Sequence, residues 1–382
     1  MTPQHDHSTD ASSLSVDSRP EELPPVSPPS AGFIVQLFLI PALIVMAVVA
    51  VWALFGKLAH TENNWTQLTT AISSSNELRR WPAAEQLANL LRNEQIAPPT
   101  NGEPLAKNPI VVESLTKLLA EALAAASNDD ENIRHQEFLA RTLGALDADA
   151  KTLPVLAEAM KDSHDIVVRK SALMAVTLIA GRHFDDATGY TEAVATGADT
   201  LPLAERNLPL TTATISDSEI VEQLRRSAQD PDPVIRHLAG YALASVSGPD
   251  SLQQLRVMLT DGNHLAQANA AIGLARNGCI DGVPTMMKLM ENSLKPFKFQ
   301  DDITAEKPAT PAEIRQAEIQ HWIEESQVAS NSLKAITDLW PKIDSEKRDN
   351  LLQIVQQMER EFPDAQIQQN ATESLKTIGP PQ

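Results

Sequence analysis

One stretch, Asp232 to Asp261, reads DPVIRHLAGYALASVSGPDSLQQLRVMLTD, and its pattern returns along the chain. Apolar residues at Val234, Ile235, Leu238, Ala239, Ala242, Leu243 and Val246 follow the i, i+3, i+4 spacing that lines one side of an α-helix. Asp232 supplies an N-cap, Gly248 and Pro249 close the first helix, and Leu252, Leu255 and Leu259 give a shorter second helix the same period. Two helices this short cannot bury their stripes alone, so the unit predicts like neighbours stacked against it.

Other helix starts carry the same register. An Asp or Asn followed four residues later by a polar side chain occurs at Asn132 with Gln136, Asp165 with Arg169, Asp232 with Arg236, Asn263 with Gln267, and Asp364 with Gln368. These starts lie 33, 67, 31 and 101 residues apart, close to one, two, one and three periods. Three residues beyond the polar position stands Leu139, Ala172, Ala239, Ala270 or Ala371, and seven beyond it Leu143, Val176, Leu243, Leu274 or Leu375. Second helices follow as LPVLAEAMKD, SLQQLRVMLTD and GVPTMMKLMEN. At these residues the chain resembles the HEAT-repeat superfamily, in particular the short bacterial form related to the phycobilin lyase repeats, whose pattern is D-x-x-x-R-x-x-A-x-x-A-L. The resemblance covers Glu131 to Glu291 and, in part, Pro363 to Gly379, with Gln136, Gln267 and Gln368 standing where the pattern has Arg. It implies an all-α fold, an α-solenoid of HEAT-like helical hairpins over residues 61–382. The signatures of tetratricopeptide and ankyrin repeats are absent.

Composition agrees with that class. Aromatic residues make up only 4% of the 382, which suits helices packed through Ala and Leu better than a β-sandwich. The missing periods coincide with irregular segments near 181–218 and 293–310, and insertions in repeat arrays gather on one rim, where binding often occurs.

The first 31 residues are rich in Ser, Pro and Asp and are expected to be disordered. Residues 32–56 hold an uncharged apolar run from Phe33 to Phe55, 23 residues in all, which predicts one transmembrane helix preceding the solenoid and hence contact with the lipid bilayer. An acidic leading tail, the length of the run and the lack of a small-residue cleavage site before Lys57 favour a retained anchor over a signal peptide. The sparse basic residues flanking it place the large domain on the cytoplasmic side of the cell membrane.

Chemistry is sparse. No Gly-rich phosphate loop, nucleophile elbow, H-E-x-x-H or C-x-x-C occurs, so no enzyme, metal or cofactor is expected. A net charge of −19 argues against nucleic acid. The lone Cys279 reads as a packed turn residue, Asp165, Asp232 and Asp364 as caps, and His164, His237 and His264 as surface or cap residues. His5 and His7 on the tail lack a fixed third ligand. The cluster Lys295, Phe297, Lys298 and Phe299 is a candidate partner-binding loop, able to meet an acidic partner or a membrane surface, or else to pack its rings over the solenoid edge. The expected function is that of a membrane-anchored scaffold or adaptor docking a protein partner. Two alternatives stand beside it: a chromophore-lyase-type enzyme, which requires a tetrapyrrole-sized pocket with convergent polar groups, and an envelope sensor.

Overall fold

The computed structural model describes residues 32, 39, 42–51, 65–97, 99, 103–125, 129–197, 201–298 and 310–379. The chain divides into two units, Met1–Asn63 and Asn64–Gln382. In the first, residues 42–51 are helical and their side chains are exposed. Among the described residues no helix is long and apolar enough to cross a membrane. The expected transmembrane helix over Phe33 to Phe55, and with it the bilayer contact, the cell-membrane localisation and its cytoplasmic orientation, is therefore corrected: the supported architecture is the HEAT-like solenoid without that anchor. Apart from Gly32 and Leu39, the rest of the predicted segment 32–56 and the tail 1–31 lie outside the described residues.

The second unit is all helical. Its α-helices are α1 (Trp65–Ile72), α2 (Glu77–Ile96), α3 (Pro109–Ala124), α4 (Asp130–Leu143), α5 (Asp149–Ala159), α6 (Ile166–Ala187), α7 (Tyr190–Ala195), α8 (Ser218–Ser227), α9 (Pro233–Val246), α10 (Gly248–Met258), α11 (His264–Arg276), α12 (Val283–Ser293), α13 (Pro311–Leu339), α14 (Ser345–Glu361) and α15 (Ala365–Ile378). Leaving α7 aside, successive helices alternate between two layers. One runs α4, α6, α9, α11, α13, α15, each packed on the next; the other includes α1, α3, α5, α8 and α10 in the same manner, and α12 on α14. Trp81 of α2 stacks on His135 of α4 with ring centroids 3.4 Å apart, which joins α2 to the first layer. The stripe read from Asp232 to Asp261 is the centre of this stack: Ala239, Ala242 and Leu243 are fully buried where α9 meets α6 and α11.

Caps explain where the helices begin. Asp165, Asp217, Asp232, Asn263 and Asp364 each accept a backbone N–H of the first turn through a side-chain oxygen. The register departs from expectation in one repeat: Asp129, not Asn132, caps α4, which gains nearly one turn at its start. The residues read as the polar partner of each cap share one task, which is to reach back to carbonyls at the end of the preceding helix or in the turn that follows it. Gln136 donates to Ala122 O at 2.9 Å, Arg169 to Met160 O at 3.4 Å, and Gln368 to Phe362 O at 2.8 Å. Gln267 donates to Asp261 O, and Arg236 to Asp230 O and Pro231 O at 2.9 and 3.0 Å. Gln therefore replaces Arg without loss of this contact, because an amide N–H meets a carbonyl as well as a guanidinium does. Where Arg is kept it also takes carboxylates, Arg169 pairing with Asp230 and Arg236 with Asp261, which ties α6, α9 and α11 together through their connecting turns.

Three further features matter for the site, the first a departure from the irregular segment expected near 181–218. The sixth helix runs through Ala187, held by the fully buried Phe184, so the irregular segment begins later than 181. Residues 311–339 form one helix of 29 residues. The turn between α9 and α10 is clamped to the insertion: Thr214 N donates to Val246 O at 2.8 Å, and at Gly248, with φ of +76°, a Cβ would lie 2.6 Å from Ala213 N.

A buried acid sits at the contact of α11 with α13. Glu325 is 8% exposed, and burial, with the neighbouring Glu324, pushes its carboxyl from 4.5 to about 6. His264 approaches it from α11 at 3.7 Å and His321 from its own helix at 4.0 Å; burial lowers the His264 imidazole. A raised carboxyl contributes stability that is complete below 4.5 and lost as pH rises through about 6. Glu325→Gln is accordingly expected to raise the unfolding free energy measured in urea at pH 8 by about 2 kcal/mol, and to change it little at pH 4.5. Equal gains at both pH values would contradict this burial. The lowered imidazoles of His264 and His237 have the opposite sign, their contribution being present above 6.5 and lost as pH falls through their depressed values.

Candidate functional site

The insertion after α6 closes over a concavity of the array. Helix α7 packs on α6, and the short 3-10 turn Leu203–Glu205 reaches α13, so the segment runs beside the outer faces of α9 and α11. Beneath it lies a pocket of about 840 Å³. Its floor has a simple origin in the repeat. Met174, Tyr241 and Ile272 each stand nine residues after the cap of their helix, so three successive repeats of one layer present the same register position to the pocket. Lys334, Ala335 and Asp338 of α13 form one wall, and Tyr190, Leu203 and Arg206 of the insertion form the other.

Its electrostatics set it apart in a chain so acidic. Three cations, Arg206, Arg276 and Lys334, line it with two carboxyls, Asp185 and Asp338. Arg206 is held by its Nε, which donates to Leu201 O at 2.9 Å, and by the Tyr190 ring 5.2 Å away. The guanidinium of Arg276 lies 5.3 Å from the Phe184 ring. Among the described residues none of these three cations forms an ion pair within 4.0 Å, so the forks are positioned by rings and backbone, not by carboxylates. Burial pushes the Asp185 carboxyl up against the pull of Arg276 and Arg206, and does the same at Asp338 against Lys334 and Arg206. His237 lines the pocket from α9, its imidazole lowered by burial against the pull of Glu324.

The sequence-level candidates fall elsewhere. In the loop after α12, Phe297 is half-buried with its ring 5.1 Å from that of His321, Lys295 donates to Asn292 Oδ1 at 2.7 Å, and Lys298 is exposed. Phe299 and residues 300–309 lie outside the described residues. None of the described three lines the pocket. Cys279 is half-buried in the turn after α11, and burial pushes its thiol up, as expected of a packed cysteine. His164 faces Glu158 at 3.5 Å. Among the described residues no group of three or more His, Cys, Asp or Glu is placed to hold a metal ion.

Residues 208–275, from the end of the insertion through α8, α9, α10 and most of α11, match the family described as HEAT repeats. No curated protein sequence matches the chain. Among solved structures, an engineered protein is similar over 82% of this chain and 96% of its own, with 18% identity and a TM-score of 0.32. Human deoxyhypusine hydroxylase in complex with glycerol covers 85% and 98% at 15% identity and a TM-score of 0.26. Escherichia coli YibA covers 81% and 92% at 16% identity and a TM-score of 0.31.

Proposed function

We propose that this protein is a HEAT-like adaptor, not an enzyme, and that a segment of a protein partner lies in the pocket beneath the insertion. One observation carries the reading: three repeats present Met174, Tyr241 and Ile272 in register beneath an insertion that supplies the opposite wall. A regular array gives a rigid floor, and an irregular segment on its rim gives specificity. The absence of a catalytic signature in the sequence is consistent with binding alone. A tagged full-length chain should retain a stoichiometric partner that Tyr241→Asp releases, while the helical signal and melting midpoint stay unchanged; Tyr241 is 42% exposed, so the variant disturbs no core. Retention by both proteins would refute the placement.

A second reading draws on the same cavity. Its volume falls within the range of small-molecule sites, about 300 to 1,000 Å³, and charged and polar side chains line it beside Tyr241 and Met174. A bilin added to the purified chain should then show a shifted absorption band that Tyr241→Asp abolishes.

A further inference from the structure

Cations inside proteins are normally neutralised by a carboxylate held within hydrogen-bond reach, as Arg236 is by Asp261 at 2.8 and 2.9 Å. The pocket beneath the insertion holds three more accessible cations: Arg206 and Arg276 are part-exposed and Lys334 is exposed, and among the described residues none of them pairs with a carboxylate within 4.0 Å. Arg206 and Arg276 are steadied by Tyr190 and Phe184, which among the described residues leaves their fork donors without a carboxylate partner, and Lys334 stands on the facing wall. The carboxyls nearest them, Asp185 and Asp338, attract these cations without pairing with them. Among the described residues the lining thus carries Arg206, Arg276 and Lys334 against Asp185 and Asp338, in a chain whose net charge is −19.

We infer that the occupant of this pocket is an acidic peptide segment, whose carboxylates Arg206, Arg276 and Lys334 receive while Tyr241 and Met174 cover its apolar atoms. Guanidinium forks bind carboxylates in a planar, two-point geometry, and the cavity of about 840 Å³ exceeds a single small anion and accommodates several side chains. The inference rests on the adaptor reading and adds to it the chemistry of the partner.

The test uses the full chain and a fluorescent hexaglutamate peptide, with hexalysine and inorganic phosphate as comparison probes. Hexaglutamate is expected to bind saturably and hexalysine not at all. Arg276→Gln and Lys334→Gln should each weaken binding by about tenfold or more, the scale of one charge-assisted contact. Arg225→Gln, on α8 and paired with Glu222, should leave it unchanged. Melting midpoints of the variants separate lost binding from lost folding. No hexaglutamate binding, equal weakening by Arg225→Gln, or full displacement by phosphate at the peptide's own concentration would overturn the inference. A partner that still crosslinks to position 241 in Arg276→Gln and Lys334→Gln would overturn the acidic class and leave the adaptor reading standing. Hexaglutamate binding that both variants abolish, with no protein ever crosslinked at 241, would support the acidic site and remove the adaptor reading.

Discussion

Replacing Ala242 with Arg is expected to abolish the cooperative thermal transition of the array. Ala242 is 0% exposed, on a helix packed between α6 and α11, and its neighbours Ala239 and Leu243 are as deeply buried. A guanidinium on a long stem cannot enter that space without forcing the helices apart, at a cost of about 1 to 3 kcal/mol. The charge then lies in an apolar interior without a partner, which costs several kcal/mol more. Together these approach the whole stability of an ordinary domain, about 5 to 15 kcal/mol. Position matters as much as size: in a stack where each unit touches only its neighbours, loss of α9 uncouples the repeats before it from those after it. Circular dichroism on heating should show a broad, early loss of helix, and an unchanged midpoint would contradict the packing described.

Removing the Arg236 guanidinium is the second large effect. Its Nε and Nη2 take both oxygens of Asp261, and its Nη1 takes the carbonyls of Asp230 and Pro231. Asp261 also accepts the Asn263 N–H at 2.8 Å, so the pair fixes the turn that starts α11. Arg236→Ala strands a carboxylate whose side chain is 10% exposed, and should destabilise the chain by about 3 kcal/mol. The Arg236 hydrogen bond holds the Asp261 carboxyl below its ordinary 3.8. That contribution is present above 3.8 and lost as pH falls through the depressed value, so the penalty should shrink in strong acid. Arg236→Lys should recover little, because an ammonium cannot serve two oxygens and two carbonyls at once. Denaturant midpoints for both variants and for Asp261→Ala close the cycle; additive single and double effects would contradict the coupling.

The solenoid was legible because its determinants are local. Caps at Asp165, Asp232, Asn263 and Asp364 and the apolar stripes between them need only a helical period to be read. Asn132 misled because Asp129 offers the same capping oxygen three residues earlier, and the first turn can begin at either. The apolar run from Phe33 to Phe55 is read by length and hydropathy alone, and among the described residues no helix is long and apolar enough to cross a membrane. The pocket was half legible. Its floor follows from the register, since Met174, Tyr241 and Ile272 share one place after their caps, and that signal was available in the aligned repeats. Its other walls were not: Arg206, Arg276 and Lys334 lie in an irregular insertion, at a helix end and on α13, and nothing local brings them together. The basic-aromatic cluster at Lys295 to Phe299 drew attention through contiguity, whereas the cations that line the pocket are far apart in sequence.

The most direct measurement places a photo-crosslinking amino acid at position 241, in the pocket, and separately at Val257, 58% exposed on α10 and outside it. Irradiation in the native cell should yield one discrete crosslinked protein from position 241 and none from 257. Crosslinks of equal yield at both sites, or none at 241, would contradict a partner seated beneath the insertion.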